Sequence, residues 1–272
     1  MTQTTGYQTT IAESWRIQCR VLSALVRREF IASYGRRGLG FSMVFMEPLF
    51  IMGCVMVIAS MTRFHMQSTG FPVVPFVVTG WGVLWVCRYP IMHMVGVVLA
   101  SASFLYHRNI TVMDILISRA VVNVFGCVFS FIAIFFLYQF CFATFYPYDP
   151  LYLILSVFLL IWYTLGLCIF SGVISAYYAI GSRLPILIAV LHIGLSGFFF
   201  MVDWVPIQFR SAVLMIPLIN VTEMMRYGVF GNLVPCYFSV VYPFSFNLAM
   251  TFLTFFWCQR LMHSRTVHGI AG

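Results

Sequence analysis

The sequence predicts an all-helical polytopic membrane protein, and three observations support that fold class. Of its 272 residues, 62% are hydrophobic and only 8% are charged, with a mean hydropathy of +0.97. A soluble globular protein carries about 25% charged residues, so this chain has too few to cover a water-facing surface. Several apolar runs reach the roughly 20 residues that a helix needs to cross a bilayer core of about 30 Å. The arginines cluster beside these runs.

Six apolar runs are predicted to be transmembrane helices. Segment 202–237 lies before the last run and is moderately apolar but interrupted by Pro206, Pro217 and Pro235. We expect short re-entrant gate helices there, shielded by the rest of the protein. The predicted spans are 44–62, 72–100, 116–143, 152–178, 184–201 and 238–258.

An amphipathic helix is predicted ahead of the first span. Apolar side chains between Ile11 and Val26 recur at helical spacing, with arginines mostly on the other faces, which is typical of a helix lying along a membrane surface. The predicted organisation is a disordered tail (1–10), the interface helix and its connection (11–40), the transmembrane domain (41–260) and a cytoplasmic C-terminal tail (261–272).

Arginine distribution predicts the orientation. With the N-terminus in the cytoplasm, eleven arginines fall on the inner side and three on the outer side, with Arg88 inside a span. The positive-inside rule then places both termini in the cytoplasm.

The composition also excludes some functions. All fifteen basic residues are arginine, so the chain has no P-loop lysine and cannot itself be a P-loop ATPase. Because the arginines lie beside membrane spans, nucleic acid is not expected as a partner. The eight cysteines form no CxxC motif, and we interpret them as small packing residues, with no metal site predicted.

Glu47 and Arg88 are the charged residues within predicted spans that are candidates for a functional role. Glu47 lies about one turn inside the first span, where it either faces protein or water, or pairs with a local arginine. Arg88 lies near the middle of the second span, and its cost of about 2.5–3.5 kcal/mol predicts a partner acid, a wet cavity or an anionic substrate.

Aromatic residues are concentrated at the end of the fifth span, at Phe198, Phe199, Phe200 and Trp204. Such rings stack on sugars or form an interfacial belt. The nearby G-x-S-G at 194–197 is similar to a rhomboid-protease motif, but no membrane-embedded histidine follows Ser196, so we interpret these small residues as helix-packing positions.

The order of several motifs resembles the permeases of ABC-2 type exporters. These are RRE at 27–29, GRRGLG at 35–40, Glu47-Pro48, FPVVPFVVTG at 71–80, ASFLYHRNITVMD at 102–114 and IPLINVTEMMRYGVFGN at 216–232. Over residues 27–260 the chain is most similar to the capsular polysaccharide export branch, the KpsM-like permeases, which are related to O-antigen exporter permeases.

The resemblance implies a homodimer in the bacterial inner membrane that exports a lipid-linked capsular polysaccharide. It implies two copies of a separate ATPase subunit that binds ATP-Mg, no cofactor on this chain, and a periplasm-spanning export co-polymerase as a further partner. The alternatives are an O-antigen or teichoic-acid type exporter permease, or a membrane-embedded glycosyl or acyl transferase.

Candidate residues follow from the motifs and the resemblance together. The candidate substrate path comprises Phe41, Phe45, Glu47, Arg88, Phe198, Phe199 and Trp204. The candidate ATPase-coupling residues are Arg27, Arg28, Glu29, Phe104, Tyr106, His107, Arg108 and Asn109. The candidate gate-helix residues are Pro206, Pro217, Glu223 and Arg226.

Overall fold

The computed structural model is helical wherever it assigns regular secondary structure. It describes residues 11–32, 73–101, 110–142, 147–178, 181 and 183–268, together with Met46, Phe50, Ile51 and Cys54, and none of these lies in a β-strand. The α-helices are α1 (Ile11–Phe30), α2 (Val73–Met92), α3 (Val97–Ala100), α4 (Val112–Phe142), α5 (Pro150–Tyr177), α6 (Leu184–Leu195), α7 (Ile207–Leu214), α8 (Pro217–Phe230) and α9 (Val241–His268).

Three helices in the described part of the chain are long and apolar enough to cross a membrane. Their apolar portions are Val112–Leu137, Pro150–Ala176 and Val241–Arg260. A fourth candidate is the pair Ile207–Leu214 and Pro217–Leu233, which is bent by 105° and is therefore either a broken span or a re-entrant loop. The all-helical membrane class is confirmed, while the count of six spans stays a prediction, since span 44–62 falls almost entirely outside the described residues.

Local sequence signals explain where α4 and α5 begin. Asp149 accepts a hydrogen bond from the backbone N–H of Leu151 (3.0 Å), and Pro150 occupies the first helical position, where its missing N–H is harmless. At the start of α4, the hydroxyl of Thr111 accepts from Asp114 N (3.3 Å), and the Asp114 carboxylate accepts from Thr111 N (2.9 Å). This reciprocal pair is a capping box.

The second predicted span is not one continuous helix. Helix α2 contains Pro90 and ends at Met92, and α3 begins only at Val97. Pro90 cannot donate a helical hydrogen bond, and Gly96 in the turn adopts φ of +68°, a conformation that glycine tolerates best. The segment 72–100, expected as one continuous span, is therefore divided into two helices.

The fifth predicted span is also shorter than expected. Helix α6 has 12 residues and is about 18 Å long, which is less than the bilayer core of about 30 Å. It ends in a turn at Gly197, where φ is +69°, instead of continuing to residue 201.

Helix α5 lies at the centre of the bundle and packs against α2, α4, α6, α8 and α9. Polar contacts add to the apolar core: the amide of Asn247 donates to the carbonyl of Leu159 (3.1 Å), and Trp162 Nε1 donates to Thr251 (2.9 Å). At Gly228 of α8, an added Cβ would lie 2.7 Å from a backbone nitrogen of α5. The two helices thus approach as closely as a glycine permits.

Candidate functional site

Helix α8 is the most deeply buried helix of the described bundle. Thirteen of its fourteen residues are buried, and it carries both members of an ion pair, Glu223 and Arg226. The Arg226 Nη1 donates to Glu223 Oε1 at 3.2 Å, and the two side chains are 0% and 1% exposed. A helix that is buried all round belongs to the interior of a protein, and a charge pair in that position requires further hydrogen bonds.

Arg226 fastens α8 to the turn that follows α6. Its guanidinium donates to the carbonyl oxygens of Gly197 (2.7 Å) and Phe200 (2.9 Å), and its Cζ lies 4.1 Å from the ring centroid of Phe76. At Gly80 of α2, an added Cβ would be 3.1 Å from Arg226 Nη2. The arginine therefore occupies a fitted space between α2, α8 and this turn.

Three more side chains of α8 hold neighbouring segments. Glu223 accepts from the backbone N–H groups of Val202 and Tyr237, both at 3.3 Å. Asn220 accepts from Ser239 N (2.9 Å) and donates to a carbonyl near the end of α7. The hydroxyl of Thr222 donates to the carbonyl of Ser196 (2.7 Å). Helix α8 thus connects the end of α6, the end of α7 and the start of α9.

The aromatic residues after α6 divide into buried and exposed rings. Phe198 is buried and meets Phe199 edge to face, with ring centroids 4.6 Å apart, whereas Phe199 is 62% exposed. Trp204 is 49% exposed and lies 5.5 Å from the ring of Phe76. Pro206 is exposed and immediately precedes α7. Exposed rings in this position can meet lipid, substrate or a second protein chain.

The structure also shows an aromatic column on α2 that was not among the predicted site residues. Trp81 and Trp85 stack with centroids 6.0 Å apart, Trp85 and Tyr89 at 5.3 Å, and Tyr89 and His93 at 4.1 Å. The ring of Phe198 meets Trp81 at 5.5 Å and links the column to the turn after α6. The spacing of four residues was present in the sequence and could have revealed this column, because residues four apart lie on one helix face.

Arg88 lies beside this column and has no ion-pair partner among the described residues. Its side chain is half-buried, and its Nε is buried without a hydrogen-bond partner. Arg88 therefore forms no structural ion pair with any of the described acids.

At the opposite end of the bundle, α1 is attached to the first turns of α4. Glu29 is buried and forms an ion pair with Arg119, and the guanidinium of Arg28 lies 3.6 Å from the same carboxylate. The amide of Gln18 donates to the buried carboxylate of Asp114. These contacts join segments about 90 residues apart, and no pattern in a single sequence indicates them.

Most side chains of the predicted amphipathic helix lie on the exposed side of α1. Trp15 is 71% exposed, Cys19 and Arg27 are exposed, and Leu25 is the apolar residue of α1 that is buried against the bundle. The coupling candidates on α1 therefore differ: Arg27 faces outward, whereas the carboxylate of Glu29 is engaged inside the chain.

Several candidate residues lie outside the described part of the chain. For the substrate path they are Phe41, Phe45 and Glu47. For ATPase coupling they are Phe104, Tyr106, His107, Arg108 and Asn109, although the flanking positions Ser101 and Ile110 are described.

Comparison with known proteins gives relatives that match over nearly their full length, although no family model matches the chain. The capsule polysaccharide export inner-membrane protein CtrC of Neisseria meningitidis serogroup A is 32% identical over 247 residues, covering 91% of this chain and 93% of CtrC. The protein of the same description from Haemophilus influenzae, BexB, is 32% identical over 251 residues, again covering 91% and 93%. The similarity therefore extends over nine-tenths of the chain and is not limited to one motif.

Proposed function

This chain belongs to the family of capsule polysaccharide export inner-membrane proteins, and we propose on this basis that it is the permease subunit of an ATP-driven capsule exporter. The observation that carries the proposal is the similarity to CtrC and BexB over nine-tenths of the chain. The capsular branch identified from the order of the motifs is the one that the relatives support.

ATP hydrolysis is assigned to a separate subunit. The absence of lysine excludes a P-loop on this chain, so in this proposal the energy comes from another polypeptide that binds ATP-Mg. We propose two copies of that ATPase, a second copy of this permease, a lipid-linked polysaccharide as substrate and a periplasm-spanning co-polymerase. Both termini of the permease face the cytoplasm in this arrangement.

The substrate path is proposed to follow the aromatic surface at the end of α6. Phe199 and Trp204 present exposed rings there, and sugar rings have apolar faces that stack on aromatic side chains. Arg88 supplies a cation without a described acidic partner. Phe41, Phe45 and Glu47 remain predicted members of the same path.

Helices α7 and α8 are proposed to form the outer gate. Their 105° bend brings two short helices to one side of the bundle, and the hydrogen bonds of Glu223 and Arg226 tie α8 to the turn after α6. A re-entrant backbone is tolerated in a membrane where protein surrounds it, and the burial of α8 meets that condition.

Coupling to the ATPase is proposed at the segment between α3 and α4. Residues 102–109 lead directly into the first turns of α4, where α1 is attached through the pairs Glu29–Arg119 and Gln18–Asp114. Movement of that segment would therefore reach α4 and α1 together. In this proposal Arg27 and Arg28 contact the ATPase or the membrane surface, and Glu29 transmits the movement within the permease.

Deleting the gene from an encapsulated host tests the function and separates it from the transferase alternative. Polysaccharide is measured on the cell surface and in the cytoplasm, with and without a plasmid copy. An export defect leaves complete polymer inside the cell, and the plasmid restores it to the surface. If polymer synthesis stops or its composition changes, the chain acts as a transferase; if surface capsule is unaffected, the export function is refuted.

A charge reversal tests the proposed link between α1 and α4. Glu29→Arg should impair export because it places like charges beside Arg119, and Glu29→Arg combined with Arg119→Glu should recover it in part. The amounts of inserted permease and co-purified ATPase serve as controls. Equal export by the wild type and the Glu29→Arg variant would show that this ion pair transmits nothing.

A further inference from the structure

Three unpaired hydrogen-bond donors lie along one face of α2. They are Trp81 Nε1, Trp85 Nε1 and Arg88 Nε, each buried and without a partner. Positions i, i+4 and i+7 share one face of an α-helix. The other five unpartnered buried side-chain atoms of the described residues are divided among α4, α5, α8 and α9. No other helix in the described part of the chain carries three.

The same face of α2 carries the aromatic column. The stacked rings begin at Trp81 and end at His93, the residue that follows α2, and the two positions are twelve residues or about 18 Å apart along the helix axis. This length is more than half of the hydrocarbon core of a bilayer, which is about 30 Å thick. Trp81, Arg88 and Tyr89 are half-buried and His93 is exposed, so the face has contact with the exterior of the bundle.

The chemistry of the unpaired groups specifies which hydrogen-bond partners a ligand would have to supply. An indole N–H and a guanidinium can only donate hydrogen bonds, so the missing partners are acceptors. A buried donor without an acceptor is costly, and native proteins pair the great majority of such groups. Stacked aromatic rings with unpaired N–H donors at their edges suit a saccharide, because a saccharide has apolar ring faces and many oxygen atoms that accept hydrogen bonds. A guanidinium favours a carboxylate or phosphate.

We propose that this face of α2 is a binding site for an acidic saccharide, with Trp81 and Trp85 donating to its oxygens and Arg88 binding its anionic group. The proposal rests on the proposed export function and extends the substrate path inward from Phe199 along α2. In this proposal Trp81 and Trp85 bind the ligand through their N–H groups as well as through their rings.

Substitution of tryptophan by phenylalanine tests the N–H groups, because an aromatic ring remains while the donor is lost. In a host lacking its own copy, Trp81→Phe with Trp85→Phe should lower surface polysaccharide about tenfold, as expected for two lost hydrogen bonds to a ligand. Thermal stability should fall only by the packing that the smaller rings lose, since these donors have no protein partner to lose. The matched control is Trp162→Phe, which removes a donor already bonded to Thr251 and should export normally.

The outcomes separate this site from the function as a whole. If the wild-type gene does not restore surface polysaccharide, the export function itself fails. If the wild type restores it and the double variant does so equally, the site on α2 is refuted while the function stands.

Binding measurements on the purified permease keep the proposal testable if the double variant does not accumulate. Tryptophan fluorescence is titrated with short oligomers of sialic acid, with a neutral maltooligosaccharide of equal length, and with short-chain phosphatidylglycerol. Arg88→Gln should weaken binding of the sialic acid oligomers if the anion is a sugar carboxylate, or of the phospholipid if it is a phosphate. If neither anion binds more tightly to the wild type than to this variant, the role of Arg88 is refuted.

Discussion

Replacing Arg226 with methionine is predicted to destabilise the protein strongly. The substitution introduces an unbranched apolar side chain and removes the donors to Gly197, Phe200 and Glu223. Glu223 is then a carboxylate with 1% exposure and no counter-ion in its described surroundings. Two carbonyl oxygens of the turn after α6 also lose their donor.

The expected loss is about 3–5 kcal/mol in the free energy of unfolding, the range for removing one member of a buried ion pair. Glu223 keeps hydrogen bonds from the N–H groups of Val202 and Tyr237, so we expect the lower part of that range. Since about 1.4 kcal/mol corresponds to a factor of ten, the unfolding equilibrium constant should rise by two to three orders of magnitude, roughly.

The chain offers a matched control in Arg210. Its guanidinium also donates to two carbonyl oxygens, of Asp203 (2.6 Å) and Val205 (2.9 Å), pairs with a carboxylate at 3.1 Å and lies over an aromatic ring. The pair with Asp203 differs in being 23% and 35% exposed. Solvent screening reduces the contribution of such exposed ion pairs to stability, so Arg210→Met should lower the free energy of unfolding by about 1 kcal/mol or less.

Equilibrium unfolding of the purified protein in detergent, followed by tryptophan fluorescence, measures both variants. A double variant, Glu223→Leu with Arg226→Met, should recover part of the loss because it leaves no buried unpaired charge. If Arg226→Met and Arg210→Met reduce stability equally, burial does not increase the contribution of the Glu223–Arg226 pair to stability. If Arg226→Met stays within about 1 kcal/mol of the wild type, the buried ion pair does not hold α8 in place.

Three further predictions concern topology, substrate path and coupling. In a cysteine-free variant, a cysteine placed at His268 should resist an impermeant maleimide in intact cells, and labelling would reverse the orientation. Phe199→Ala should lower export without loss of thermal stability, because the ring is largely exposed; unchanged export would assign it to lipid contact. Tyr106→Ala with Arg108→Ala should reduce ATPase co-purification or uncouple hydrolysis from export, and normal values of both would move the contact to α1.

Local signals allowed much of the helical organisation to be predicted. The low charge and long apolar runs predicted a membrane bundle, and the prolines in 202–237 predicted interruptions where the structure has helix boundaries: Pro206 precedes α7 and Pro217 begins α8. Pro90 and Gly96 carried the same kind of signal for the break after α2, but the apolar residues around them favoured a longer span. Apolar composition does not distinguish one continuous helix from two.

The contacts between distant segments could not be predicted in this way. Glu29 and Arg119 are 90 residues apart. From the sequence alone, each charged side chain could equally well contact solvent or lipid headgroups. The pair Glu223–Arg226 lies within one helix turn, yet its burial depends on how α2 and the turn after α6 pack around it. The column on α2 is an intermediate case, since its spacing was visible but its unpaired donors were not.

The use of the acidic residues bears on the choice between permease and enzyme. A transferase with acid–base chemistry needs carboxylates free to exchange protons near the substrate. The chain has seven acids, and the six that are described include five already engaged in helix caps or ion pairs: Glu29, Asp114, Asp149, Asp203 and Glu223. The sixth, Glu13, lies in the first turn of α1, at the opposite end from the exposed rings after α6. By contrast, the unpaired polar groups on α2 are all donors. Such a face can hold an oxygen-rich chain through hydrogen bonds, and α2 itself carries no carboxylate that would repel an acidic one.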